Sequence, residues 1–182
     1  MKILKFKKQS KDKYKLYLDN NSDITLYEDV IIKNNLLITK EISDELLEAL
    51  KKQNNDMYAY TLALGYISVK MRSIKEINDY LIKKGFNNLV ASKVSERLIK
   101  EGYLNDLKYA KSFINDSMNL TNKGPQKIKM ELIKYGVNKD IIESEIALID
   151  QRKVEEKLNK LIDKELKIKK GSQNAIKIKI IN

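Results

Sequence analysis

Apolar residues in short alternation with polar ones open the chain. Ile3, Leu4 and Phe6 are interspersed with lysines over residues 2–8, and Tyr14, Leu16 and Leu18 keep a period of two in the next run, so both runs predict strands. Residues 9–12 and the cluster Asp19-Asn20-Asn21-Ser22-Asp23 predict turns, and residues 24–27 a third short strand. The expected product is a three-stranded antiparallel meander, too small to stand in water without a helix on its apolar face. Val30, Ile31 and Ile32 form a short element whose type the pattern leaves open. Ser43, with Asp44 and Glu45 behind it, caps a helix through Leu46, Leu47 and Leu50, which Asn54-Asn55-Asp56 is expected to end.

Beyond that point the period becomes helical. Tyr58, Leu62 and Tyr66, flanked by the small Ala59 and Ala63, make one apolar stripe. Ser73-Ile74-Lys75-Glu76 has the spacing of a capping box, in which the serine hydroxyl accepts from the third amide and the glutamate reaches back to the cap amide. The helix it opens carries Ile74, Ile77 and Leu81 and stops at Gly85; the next, from about Asn88, carries Val90, Val94 and Leu98 and stops at Gly102. The plan then returns 51 residues later: Tyr58 corresponds to Tyr109, Ile77 to Ile128, Leu81 to Leu132 and Gly85 to Gly136. Asn105-Asp106 starts the second copy, with Tyr109, Ala110, Phe113 and Ile114 facing inward. Gly124-Pro125 opens its middle helix, with proline where a missing donor costs nothing, and Ile142, Ile146 and Ile149 mark its third.

A repeat of this period in helical sequence predicts a stacked array. The expected class is mainly α: tandem three-helix repeats in an elongated, curved array, with a small N-terminal antiparallel β-meander. Its expected parts are residues 1–53 (meander plus helix), 54–103 (first repeat), 104–149 (second repeat) and 150–182 (an incomplete third repeat). That third unit starts with Val154, Leu158, Leu161 and Ile162, breaks at Lys169-Lys170-Gly171-Ser172, and ends in Ile176, Ile178, Ile180 and Ile181, where alternation with lysine also reads as a strand. No closing leucine and glycine follow in the sequence, so the last repeat is expected to be truncated or degenerate.

Composition narrows the chemistry. Cysteine and histidine are both absent from the 182 residues, which removes disulfides, thiol nucleophiles, the usual zinc ligand sets and imidazole acid/base catalysis. No apolar run approaches the ~18 residues of a membrane span, and the first residues lead straight into charged sequence, so a cytoplasmic, non-membrane protein is expected. The six glycines are scattered near helix boundaries and form no phosphate loop. Asp19 with Asp23, and Asp106 with Asp116, read as turns and caps rather than a metal site. No catalytic residue, metal or cofactor is expected.

The net charge of +11 favours a polyanionic partner, and it is spread along the chain as +2 over residues 1–55, +3 over 56–104, +1 over 105–149 and +5 over 150–182. The cations gather about the middle helix of each repeat: Lys70 and Arg72 before the first, Lys83 and Lys84 at its end, Lys123 before the second and Lys127, Lys129 and Lys134 along it. In the 51-residue register Arg72 matches Lys123, so stacking would align these residues as a phosphate-tracking face; the competing reading is a solvated lysine surface. Tyr58, Tyr66, Tyr80, Tyr109 and Tyr135 lie mostly on apolar stripes and are expected in the core. Tyr103, between Gly102 and the next helix start, is expected to staple one repeat to the next.

Laid out in this way, the chain resembles the RecX family, bacterial modulators of the RecA recombinase. The likeness rests on Arg72-Ser73 with Ile77, Leu81 and Lys84-Gly85-Phe86, on Gly102-Tyr103-Leu104-Asn105-Asp106 with Tyr109-Ala110 and Phe113, and on Lys123-Gly124-Pro125 with Ile128, Glu131-Leu132 and Gly136-Val137. It covers roughly residues 56–150. The resemblance implies a curved, monomeric, non-catalytic protein that lies in the groove of the RecA filament and restrains ATP hydrolysis and strand exchange, in DNA repair and the SOS response. Lys70, Arg72, Lys123 and Lys127 would then bridge neighbouring RecA subunits, touching acidic protein surface or phosphates of single- or double-stranded DNA. The alternative function is a stand-alone DNA-binding protein using helices across Gly102 to Asp106 as a helix-turn-helix; a third is a helical scaffold for some other protein.

Overall fold

The computed structural model describes residues 1–168. The expected break at Lys169-Lys170-Gly171-Ser172 and the run from Ile176 to Ile181 lie outside the described residues. The described chain is mainly helical, with one three-stranded antiparallel sheet at its N-terminal end. It divides into two compact units, one of Met1–Lys70 with Ile77–Lys100, the other of Met71–Glu76 with the described residues from Glu101 onward.

In the first unit, β1 (Ile3–Lys8), β2 (Lys13–Leu18) and β3 (Asp23–Tyr27) pair in sequence order. The rows Phe6, Leu16, Ile24 and Lys8, Tyr14, Leu26 are in register on one face. Leu16 and Leu26 of that face are fully buried with Val30 and Ile31 of α1 (Glu28–Lys33), Leu36 of α2 (Leu36–Thr39) and Leu50 of α3 (Asp44–Ile67). The element of open type at Val30 is a helix of six residues, and each buried leucine or isoleucine of this cluster contributes about 1.5–3 kcal/mol of transfer free energy. Ser43 caps α3 by accepting from Leu46 N at 3.1 Å.

The helix break expected at Asn54-Asn55-Asp56 does not occur: α3 runs unbroken for 24 residues. Asparagine and aspartate disfavour helix when their side chains turn back on their own backbone. Here those side chains are engaged elsewhere. The Asn54 amide oxygen accepts from Tyr27 N at 2.9 Å and its nitrogen donates to Thr25 O at 3.1 Å, while Asp56 pairs with Lys93. The inner stripe of α3 is also turned from the expected one. Ala59, Tyr60 and Ala63 are buried and Tyr58 is 45% exposed, because α5 (Asn88–Lys100) lies along the alanines and Arg97 stacks on the Tyr60 ring at 3.7 Å.

α4 (Ile74–Lys83) and α7 (Pro125–Lys134) end alike. Phe86 N donates to Leu81 O at 3.1 Å and Gly85 N to Ile82 O at 2.9 Å; Val137 N donates to Leu132 O at 3.1 Å and Gly136 N to Ile133 O at 2.9 Å. This double closure needs a residue at positive φ, supplied by Gly85 at 95° and Gly136 at 76°. The 51-residue register thus extends from side-chain type to individual hydrogen bonds. In the second unit α6 (Asp106–Leu120), α7 and α8 (Lys139–Ala147) enclose Tyr109, Ala110, Ile114, Ile128, Leu132, Val137 and Ile142, and α9 (Gln151–Ile168) follows.

Candidate functional site

The first turn of α4 belongs to the second unit, and its sequence explains how it is held there. The capping box forms: Ser73 Oγ accepts from Glu76 N at 3.2 Å, and Glu76 Oε2 accepts from Ser73 N at 3.0 Å. Ser73 is fully buried, and its hydroxyl proton goes to Tyr135 O, the carbonyl at the end of α7, at 2.6 Å. The other oxygen of Glu76 accepts from Arg72 Nη1 at 3.2 Å, and the charge of the same carboxylate acts on the Tyr109 hydroxyl. Burial, reinforced by the Glu76 charge, pushes the Tyr109 hydroxyl well above the ordinary tyrosine range.

Asn105 and Asp106, both expected to start α6, divide the work. Asn105 caps its own helix, accepting from Lys108 N at 2.9 Å. Asp106 instead accepts from Ile74 N at 2.9 Å and so caps α4. Burial raises the Asp106 carboxyl above its usual range, the Ile74 amide partly offsets this, and the Glu76 charge adds to the rise. A native pKa above the unfolded one means that the folded chain binds more protons in that window, so this group's contribution falls as pH rises from about 4 through the raised value. Asp106→Asn keeps an acceptor for Ile74 without the charge. Its urea midpoint is expected to exceed that of the wild type at pH 7, by a margin that closes toward pH 4, whereas Asp106→Ala loses the cap, about 1 kcal/mol near pH 4 and less at pH 7, where the wild-type carboxylate is itself penalised.

A second polar joint went unread in the sequence. The Lys157 ammonium of α9 donates to three backbone carbonyls: Ser117 O and Met118 O at 3.1 Å, and Lys123 O at 2.9 Å. Two of these belong to the last turn of α6, whose carbonyls have no helical partner. Burial lowers the Lys157 pKa.

At the Gly102 to Asp106 turn the buried side chain is Leu104, while Tyr103 is 55% exposed. The interior at this turn is filled by the aliphatic neighbour of Tyr103, the residue expected as the staple. Of the candidate cations, three make internal ion pairs. Arg72 holds Glu76, Lys123 Nζ lies 2.6 Å from Glu131 and 5.6 Å from the Phe113 ring centre, and Lys129 lies 3.4 Å from Glu143. Lys70, Lys83, Lys127 and Lys134 are exposed and form no ion pair among the described residues; Lys84 is exposed with its ammonium 5.6 Å from the Tyr80 ring centre. Lys127 and Lys134 stand on the outer side of α7 with Met130 and Ile133, which are 70% and 53% exposed. Gly124 and Pro125 only open that helix. Among the described residues no carboxylate cluster could hold a metal ion, and no helix is long and apolar enough to cross a membrane.

Residues 59–98 match the family model described as RecX, first three-helix domain, and residues 105–144 the one described as RecX, second three-helix domain. The chain is 40% identical over 157 residues to the regulatory protein RecX of Streptococcus uberis, an alignment covering 86% of this chain and 60% of that protein. It is 34% identical over 181 residues to the regulatory protein RecX of Streptococcus agalactiae, covering 100% of this chain and 67% of that one. The chain thus spans about two thirds of the length of these relatives. A crystal structure of regulatory protein RecX superposes with a TM-score of 0.84 over 98% of this chain and 89% of the other at 23% identity, which shows the fold. The crystal structure of RecX from Lactobacillus salivarius gives 0.62 at 29% identity, over 70% of this chain and 84% of that one.

Proposed function

Because the chain belongs to the RecX family of regulatory proteins, we propose that it binds the RecA nucleoprotein filament in the cytoplasm, as a non-enzymatic monomer, and restrains ATP hydrolysis and strand exchange. The observation that supports this most is the outer side of α7. Among the described residues Lys127 and Lys134 form no ion pair, and they stand beside exposed Met130 and Ile133, a combination suited to an acidic protein surface that also offers apolar contact. Lys70, Lys83 and Lys84 are the corresponding candidates around α4. Arg72 and Lys123, also candidates, are paired within the chain, with Glu76 and Glu131.

The test is RecA ATPase and strand exchange with increasing amounts of the full chain. Both are expected to fall, and Lys127→Glu with Lys134→Glu should require about tenfold more protein for the same effect, a loss near 1.4 kcal/mol. Unchanged RecA activity at saturating protein overturns the proposal. Retention on bare duplex DNA at moderate salt would favour the helix-turn-helix reading, against which Asp106 already spends its carboxylate on Ile74.

A further inference from the structure

The sheet's second face is built differently from a merely solvated one. Opposite the buried rows lie Lys5, Tyr17, Asp23 and Lys7, Lys15, Thr25, each row in register across the three strands. The register shifts between Ile3 and Lys5, so Leu4 is the extra residue of a bulge and stands 69% exposed beside the row of Tyr17. The face therefore offers an aliphatic side chain and an aromatic ring among three lysines. Its one acid, Asp23, is bound to Lys15 at 3.0 Å, and Lys15 in turn lies 5.5 Å from the Tyr17 ring centre. Lys5 and Lys7 form no ion pair among the described residues. Lysines alone would be accounted for as guards of an exposed edge strand. Such guarding gains nothing from displaying Leu4 and Tyr17 between them.

We propose that this face, formed by Leu4, Lys5, Lys7, Lys15 and Tyr17, binds single-stranded nucleic acid. A strand rises ~3.4 Å per residue, so Lys5 and Lys7 stand about 7 Å apart along β1, a spacing that can follow successive phosphates of an extended backbone. Tyr17 and Leu4 supply a surface on which an unpaired base can stack, an interaction a duplex cannot offer and one that is indifferent to base identity. An acidic protein would satisfy the lysines but has no use for a stacking ring. The surface shares no lysine with the set proposed to meet RecA.

The measurement is fluorescence anisotropy of labelled 15-nucleotide oligo(dT) and oligo(U) with the full chain between 50 and 200 mM salt, with circular dichroism to verify that each variant is folded. Binding is expected to weaken with salt. Lys5→Glu with Lys7→Glu should weaken it at least tenfold and lower the salt slope by about 0.7 for each phosphate no longer neutralised. Tyr17→Thr, which keeps a strand-forming residue, should weaken it about fivefold or more with the slope unchanged. A preference between the two oligonucleotides identifies DNA or RNA as the ligand. Wild-type affinity in both variants, equal affinity for duplex DNA with no effect of Tyr17→Thr, or displacement of the oligonucleotide by polyglutamate at similar charge would each overturn the proposal. Lys127→Glu with Lys134→Glu leaves this face intact, so a RecA effect lost in that variant but kept in Lys5→Glu with Lys7→Glu does not come from binding the oligonucleotide here.

Discussion

Ser73→Ala is expected to lower the unfolding free energy of the second unit by about 2–4 kcal/mol. The alanine loses the cap acceptor for Glu76 N, worth about 1 kcal/mol, and leaves Tyr135 O without its donor in a buried place, worth a further ~1–3 kcal/mol. The surrounding Glu76 carboxylate cannot substitute, since it is an acceptor and already serves Ser73 N and Arg72. Urea titration followed by circular dichroism reads the change as a lower midpoint at unchanged slope. A loss below about 0.5 kcal/mol, the range of an ordinary surface substitution, would show that the knot around α4 is ornamental.

Gly136→Ala should cost about as much, and Gly85→Ala distinctly less. Both glycines have positive φ, so an alanine at either pays about 1–2 kcal/mol for the left-handed conformation. A Cβ on Gly85 meets nothing within 4 Å, whereas one on Gly136 would sit 2.7 Å from Lys75 Cβ and 2.5 Å from Lys75 Cδ. The far end of a lysine can swing away, but its Cβ is fixed to the backbone of α4. Overpacking there adds ~1–3 kcal/mol. The paired thermal melts should therefore rank Gly136→Ala below Gly85→Ala, which in turn falls below the wild type. Equal midpoints for the two variants would remove the close approach of α4 to the end of α7.

Helix starts and stops were legible because they are local. The capping box at Ser73, the proline at the first position of α7 and the glycine closures at residues 85 and 136 depend on neighbours within a few positions, and the sequence carries all of that information. Asn54 and Asp56 misled for the same reason: a rule about short polar side chains cannot see Tyr27, Thr25 and Lys93, which occupy them. Asp106 and Lys157 were invisible as caps because their partners lie 32 and at least 34 residues away. For the candidate lysines, spacing placed them around the middle helices but could not say which ones Glu76, Glu131 and Glu143 would engage.

The two long-range caps occupy one position of the repeat, since Lys157 follows Asp106 by 51 residues, just as Pro125 follows Ile74. In the first copy an amide at the helix start needs an acceptor and receives a carboxylate; in the second, proline has removed that amide and a cation faces carbonyls instead. The coupling has been inverted in sign between duplicates. Segments exchanged between the two copies would therefore bring acid to carbonyl oxygen or ammonium to amide hydrogen, so these duplicates, though built to one plan, have ceased to be interchangeable parts.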